Sequence, residues 1–226
     1  GGAAGVAGGA AGVAGGAAGG VPGRLIALEG GEGCGKSTQA KLLADALGAV
    51  LTREPGGTPL GERIRSLLLD PESPPIGPRA ELLLMAAARA EHVRTVVRPA
   101  LEEGRFVVTD RFEGSSLAYQ AYGRGLDRSQ VAEVSAFATD GLHADLNLLL
   151  DLPVDEAESR RCRTPDRIEA ADDGFHQRVR SGFAALAGSD PGRWAVVDAT
   201  GSVEAVARRV MEAVRDRLGL ATQDPG

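Results

Sequence analysis

Residues 30–37 read Gly-Gly-Glu-Gly-Cys-Gly-Lys-Ser and fit the pattern G-x-x-x-x-G-K-[ST]. An apolar run, Leu25-Ile26-Ala27-Leu28, stands before them, and a helical pattern carried by Ala40, Leu42, Leu43, Ala46 and Leu47 follows. Strand, glycine loop and helix is the context that turns this pattern into an anion cradle. Gly30, Gly31, Gly33 and Gly35 let backbone N–H groups close around phosphate oxygens without Cβ clashes. The helix opening near Lys36 points its positive end at the same place. Lys36 is placed to reach the outer phosphates and the Ser37 hydroxyl to ligate Mg²⁺, with Glu32, Cys34 and Thr38 completing the loop. Lys36 and Lys41 are the only two lysines of the chain; every other basic residue apart from histidine is arginine. A compact ammonium fits inside a ring of N–H groups where a planar guanidinium does not.

Strand-like and helical stretches alternate beyond the loop. Strands are expected at 25–29, 49–52, 106–110, 146–151 and 194–198. Helices are expected at 60–69, 79–103 with Pro99 kinking it, 115–122, 129–141, 173–187 and 203–218. Such alternation implies an α/β fold with a central parallel sheet and helices on both faces, and ligands beyond the carboxyl ends of the strands. The loop, Arg53-Glu54, Asp110-Arg111 and Asp151 all fall there. A strand-end Asp110 either caps a turn or faces Mg²⁺, with Asp151 as its rival, and Arg111 is placed for a second anion. Arg160, Arg161, Arg163 and Arg167 form either a solvated face or a lid segment, about 153–172, closing over a transferred phosphoryl group. Arg65 and Arg89 can each be surface or site.

Twenty-five basic and 31 acidic residues leave a formal charge of −6, which argues against nucleic acid or an anionic membrane as the main partner. The Gly/Ala repeats of residues 1–22 lack the large apolar residues of a coiled coil or membrane span and the basic start of a signal peptide, so they are read as a flexible tail or linker. Residues 23–220 are read as one folded domain and 221–226 as a second tail. Cys34 and Cys162 have no metal-ligand spacing, which suits a reducing cytoplasm.

From about residue 24 to 218 the chain resembles the bacterial thymidylate kinases. The resemblance rests on the loop, on Thr52-Arg53-Glu54-Pro55-Gly56-Gly57-Thr58, on Ala87-Ala88-Arg89-Ala90-Glu91-His92, on Asp110-Arg111-Phe112 with Ser115-Ser116-Leu117-Ala118-Tyr119-Gln120, and on Pro165-Asp166-Arg167-Ile168-Glu169. It implies a three-layer P-loop kinase fold and transfer of the γ-phosphoryl of ATP to dTMP with Mg²⁺, in a homodimer. By resemblance Glu32 faces the substrate sugar, Arg65 and Arg111 hold the dTMP phosphate, and Arg89 meets a thymine carbonyl. Ser116 and Gln120 meet the base edge, Tyr119 crowds the 2′ position, and Glu54 lines the substrate side. The catalytic arginine is expected among Arg160, Arg163 and Arg167, with Ser37 and Asp110 toward the metal. Met85 stands where the family has an aromatic ring on the base, Phe112 where it has tyrosine, and Glu113-Gly114 departs from its pattern. Two other readings remain at this point: a P-loop kinase for another nucleoside monophosphate, and a non-catalytic nucleotide-dependent switch. The missing Asn-Lys-x-Asp guanine motif counts against the second.

Overall fold

A computed structural model describes residues 23–160 and 166–220 of the chain. The two tails, Arg161, Cys162 and Arg163 lie outside the described residues. Five strands, β1 (Leu25–Glu29), β2 (Val50–Arg53), β3 (Val107–Asp110), β4 (Leu146–Asp151) and β5 (Trp194–Asp198), form one parallel sheet in the order β2-β3-β1-β4-β5. Register sets Leu28 opposite Asp110 and Arg53 opposite the same residue, so the chemistry-bearing strand ends share one edge. The strand order reverses at β1, and the crevice beyond such a switch point is where the phosphate loop emerges.

Every β1 residue is buried because both sheet faces are covered, which is why Leu25–Leu28 reads as continuously apolar. Ile26 and Leu28 pack toward α1 (Lys36–Leu47) and α9 (Val203–Leu218), whose Val206, Val210 and Val214 repeat every four residues. Leu25 and Ala27 face the other way, onto Val93, Val97 and Phe112. On that side lie α2 (Pro59–Leu69), α3 (Pro78–His92), α4 (Arg98–Glu102), α5 (Glu113–Ser116), α6 (Arg128–Thr139) and, beyond the short α7 (Val154–Ser159), α8 (Asp173–Ser189).

Two expected helices prove to be composite. The stretch expected at 79–103 is α3 and α4 joined by a π-helical turn, Val93–Val97. Pro99 brings no N–H and crowds the preceding turn; the widened turn, with Arg98 N–H bonded to the Val93 carbonyl, absorbs it without ending the helix. Likewise α5 runs into a π-helical segment, Leu117–Gly123, that buries Ala118, Tyr119, Gln120 and Ala121. Its polar residues belong to the interior of a cleft rather than to solvent.

Candidate active site

The loop after β1 opens α1 through Gly35, whose φ of 86° is a left-handed conformation that favours glycine. Among the described residues no side chain caps α1, so its first N–H groups remain available to an anion. Lys36 is buried and curls its Nζ back to donate to the Gly31 carbonyl at 2.6 Å, inside the loop. Gly33 meets a steric need, since a Cβ there would sit 2.4 Å from the Ala157 carbonyl; glycine lets the loop approach the α7 backbone. Ser37 Oγ donates to Asp110 Oδ2 at 2.5 Å, while Asp110 Oδ1 is buried with no hydrogen-bond partner among the described residues. A hydroxyl beside a carboxylate with an oxygen to spare is the hard donor set Mg²⁺ takes when phosphates supply its other ligands. Asp151, the rival, is exposed and faces Arg180 at 3.4 Å.

Beside the loop, Arg111 adopts φ 72°, a conformation costing a non-glycine residue about 1 kcal/mol or more. Its N–H bonds to the Leu28 carbonyl and its own carbonyl accepts from Thr109 Oγ1, both at 2.9 Å, which holds the turn. The guanidinium thereby swings across the crevice to Glu32, donates to the Gly30 carbonyl and Ser115 Oγ at 3.0 Å, and lies 5.0 Å from the Tyr119 ring centroid. Tyr119 also donates to Glu32 at 3.0 Å. Burial works against the Glu32 charge, but Arg111 and Lys36 outweigh it and hold the carboxyl well below the usual range.

Further along lies a buried polar chain. Arg89 Nε donates to Glu54 Oε2 at 2.7 Å, and its other nitrogens donate to Ser116 Oγ and the Phe112 carbonyl, both at 3.0 Å. Glu54 Oε1 meets His92 Nδ1 at 2.8 Å, and His92 Nε2 meets Thr52 Oγ1 at 2.6 Å. Burial raises the Glu54 carboxyl, yet Arg89 and His92 bring it below its ordinary value. Arg65 reaches the same end of the cleft, donating to the Pro55 carbonyl at 2.9 Å. The whole cleft has a volume of about 790 Å³; residues 32–38 line one part, and Met85, Arg89, Tyr119 and Gln120 another.

This geometry agrees with the comparison to known families, in which the sequence model described as thymidylate kinase matches residues 28–210. The chain belongs to the thymidylate kinase family. It is 54% identical to the thymidylate kinase of Gloeobacter violaceus over 198 residues, covering 84% of this chain and 93% of that one. It is 45% identical to that of Trichlorobacter lovleyi over 208 residues, 86% of this chain and 98% of the other. A crystal structure of thymidylate kinase from Ehrlichia chaffeensis superposes with a TM-score of 0.71 at 33% identity, covering 85% of this chain and all of that one.

Against the thymidylate kinase pattern, the expected lid arginines separate. Arg160 lines the cleft and donates to the Ala199 carbonyl at 3.2 Å. Arg167 instead turns to the α2–α3 side, donating to the Leu68 carbonyl at 2.7 Å and to Glu81 at 2.8 Å. Arg163 lies outside the described residues. Met85 is half-buried and packs between Tyr119 and the Ile64–Leu68 cluster. Phe112 is wholly buried in the core, 5.5 Å beneath the Arg89 guanidinium, a place where a hydroxyl would need its own partner. Gly114 is required because a Cβ there would sit 2.7 Å from the Trp194 ring and 2.8 Å from Glu29 Oε1. Sequence reasoning missed Gln39, Gly201, Ser202 and Val203, which line the cleft beside Lys36 but carry no motif.

It also missed Glu29. This carboxyl, fully buried at the end of β1, accepts from Phe112 N at 3.0 Å, Ser115 N at 3.1 Å and Ser115 Oγ at 2.6 Å, and so ties the loop to α5. Burial pushes it up from 4.5 to about 7, against the hydrogen bond from Ser115 and the charge of Arg111. Between those values the folded chain keeps a proton that the unfolded chain releases. The associated stability is complete below about 4.5 and is lost as pH rises through about 7, a span of about 3 kcal/mol. Glu29→Gln keeps the shape of the protonated group. It is expected to unfold at a higher temperature than wild type at about pH 8, the two Tm curves converging toward acid; parallel curves across this range would refute the assignment.

Proposed function

We propose that this chain transfers the γ-phosphoryl group of ATP, as MgATP, to dTMP, giving dTDP and ADP. The observation that carries the reading is the two-ended cleft, with an uncapped helix and Lys36 at one end, the Arg89–Glu54 chain and Gln120 at the other, and Arg111 between. ATP lies along residues 30–38, with Lys36 near the outer phosphates. Ser37 and Asp110 would hold Mg²⁺, which when bound neutralises phosphate charge. The acceptor is a phosphate oxygen, largely deprotonated near neutral pH, so the protein needs no strong base. Its residues position two anions and screen their repulsion. Arg111 and Arg65 hold the dTMP phosphate, and Glu32 keeps the Arg111 guanidinium aimed. Arg89, Ser116, Gln120 and Met85 take the base, and Tyr119 the sugar. Arg160 and Arg163 are the lid charges offered to the transferred group, while Arg167 holds the lid base to α3.

A coupled assay of ADP formation from MgATP with dTMP, dUMP, CMP, UMP and AMP in parallel tests the substrate. Turnover of dTMP should exceed the others; equal or lower turnover would transfer the reading to another nucleoside monophosphate.

The dimer is proposed on a face formed by α3 and α6. There Phe137 is 91% exposed and Leu83 60% exposed beside a groove floored by Ala86, Ala87 and Ala90. A ring next to an alanine-floored groove can be self-complementary about a two-fold axis. Phe137→Glu is expected to give a monomer by sedimentation where wild type gives a dimer; equal masses would remove this interface. Among the described residues no helix is long and apolar enough to cross a membrane, and the free, buried Cys34 in the phosphate loop favours the reducing cytoplasm.

A further inference from the structure

We infer that Glu81 is a positioning residue for base recognition: it holds the side-chain amide of Gln120 with its oxygen turned into the cleft. This rests on the dTMP reading and adds to it the device that sets the polarity of one base contact. Glu81, Met85 and Arg89 stand four residues apart on α3 and so share a face. Glu81 is fully buried, and four donors converge on it. Gln120 Nε2 at 3.0 Å and Arg124 Nε at 3.1 Å reach Oε1; the terminal nitrogens of Arg124 at 3.1 Å and Arg167 at 2.8 Å reach Oε2. Burial disfavours its charge, but these hydrogen bonds more than offset that and keep it ionised.

An ionised carboxylate only accepts, so it can face only the NH₂ end of an amide. The Gln120 oxygen is thereby directed away from Glu81. It has no hydrogen-bond partner among the described residues, and Gln120 lines the cleft. Arg89 beside it offers only donors. An acceptor next to a donor matches a pyrimidine with a protonated N3 and a neighbouring carbonyl, as in thymine. It opposes cytosine, whose N3 accepts and whose exocyclic group donates. Without Glu81 the amide is free to turn by half a rotation and present NH₂ to the cytosine pattern, so the discrimination lies in a residue that never touches the base.

The test uses the full chain in the coupled assay with dTMP and dCMP, and reads the ratio of their kcat/KM values. In Glu81→Gln the single amide oxygen goes to the two guanidinium groups that share the Oε2 position, and its NH₂ then faces Gln120, which turns over. The ratio is expected to fall roughly tenfold or more, through a raised KM for dTMP and an unchanged KM for ATP. In a Gln120→Leu background Glu81→Gln should narrow the ratio no further, a non-additivity that a merely structural role would not produce. A folded Glu81→Gln with the wild-type ratio, or an equal narrowing in the Gln120→Leu background, overturns the inference while the dTMP assignment stands. Absence of dTMP turnover in the wild type removes both. Should Glu81→Gln fail to fold in thermal melts, Glu81→Asp keeps the charge for both arginines and withdraws it from Gln120; a wild-type ratio there overturns the inference equally, and a narrowed one supports it.

Discussion

Lys36→Ala is expected to lower kcat by about 10²–10³-fold while the fold survives, because a charged donor placed where phosphate charge shifts supplies rate rather than structure. Among the described residues the ammonium makes one strong contact, to the Gly31 carbonyl within its own loop, and a longer one of 3.7 Å to Cys34 Sγ. Neither bridges secondary-structure elements, so its loss leaves α1 seated through Ala40, Leu43 and Ala44 in the main core. The loop backbone still offers its N–H groups, which predicts a smaller effect on KM for ATP than on kcat. Steady-state kinetics beside a thermal melt separates the cases. Near-wild-type kcat would remove the phosphate loop from the mechanism, and a collapsed melting curve would make Lys36 a structural residue. Arginine is not expected to rescue activity, since its planar fork does not fit where the single ammonium lies 2.6 Å from a loop carbonyl.

How much of this could be read in the residues alone depends on whether the signal was local. β1 and β4 are largely apolar, Leu25–Leu28 and Leu146–Leu150 interrupted only by Asn147, because both faces are covered, and their ends were legible to the residue. The parallel sheet followed from alternation, and the strand-end chemistry from the switch-point rule. Pro99 was legible as a perturbation but not as a π-helical turn, since the neighbouring helix and sheet decide whether a widened turn or a break costs less. The lid arginines were illegible for a different reason. Arg160 and Arg167 look alike in sequence, yet one lines the cleft and the other is drawn to Glu81, 86 positions away in the chain. Glu81 gave no warning: on a helix rich in Ala and Leu it reads as a solvated charge, and only the convergence of Arg124, Arg167 and Gln120 makes it an interior carboxylate. Glu29 was hidden likewise, as the last letter of an apolar strand whose partners lie over 80 residues onward. Local pattern thus located the elements and the anion cradle, whereas the charges that orient the site are paired through tertiary contacts that leave no periodic trace.

Arg89→Ala is expected to do two things at once, and the larger is loss of stability. From sequence Arg89 reads as a surface residue or a base contact; in the fold it is 3% exposed and holds four elements together. Its donors reach Glu54 after β2, Ser116 on α5, Ser135 on α6 and the carbonyl of Phe112, the Ser135 contact being the longest at 3.4 Å. Truncation leaves the Glu54 carboxylate buried with His92 as its remaining side-chain hydrogen-bond partner among the described residues. Breaking one side of a buried ion pair costs about 3–5 kcal/mol, far more than the pair itself contributes over an apolar replacement. For a domain of this size that is a fall in Tm of roughly 6–20 °C. The KM for dTMP should rise in the surviving folded fraction, and the KM for ATP should hold, because the phosphate loop is reached through Arg111 and Glu32 and not through this chain. Arg89→Lys keeps the charge but has one nitrogen for four acceptors, so partial recovery of Tm with little recovery of KM is the expected result. The double variant Arg89→Ala with Glu54→Gln removes the stranded charge and should regain part of the lost Tm without regaining dTMP affinity. If Arg89→Ala alone melts within a degree of wild type, the buried pair is not holding the site together; if the double variant melts no higher than Arg89→Ala, the cost does not come from an unpaired carboxylate.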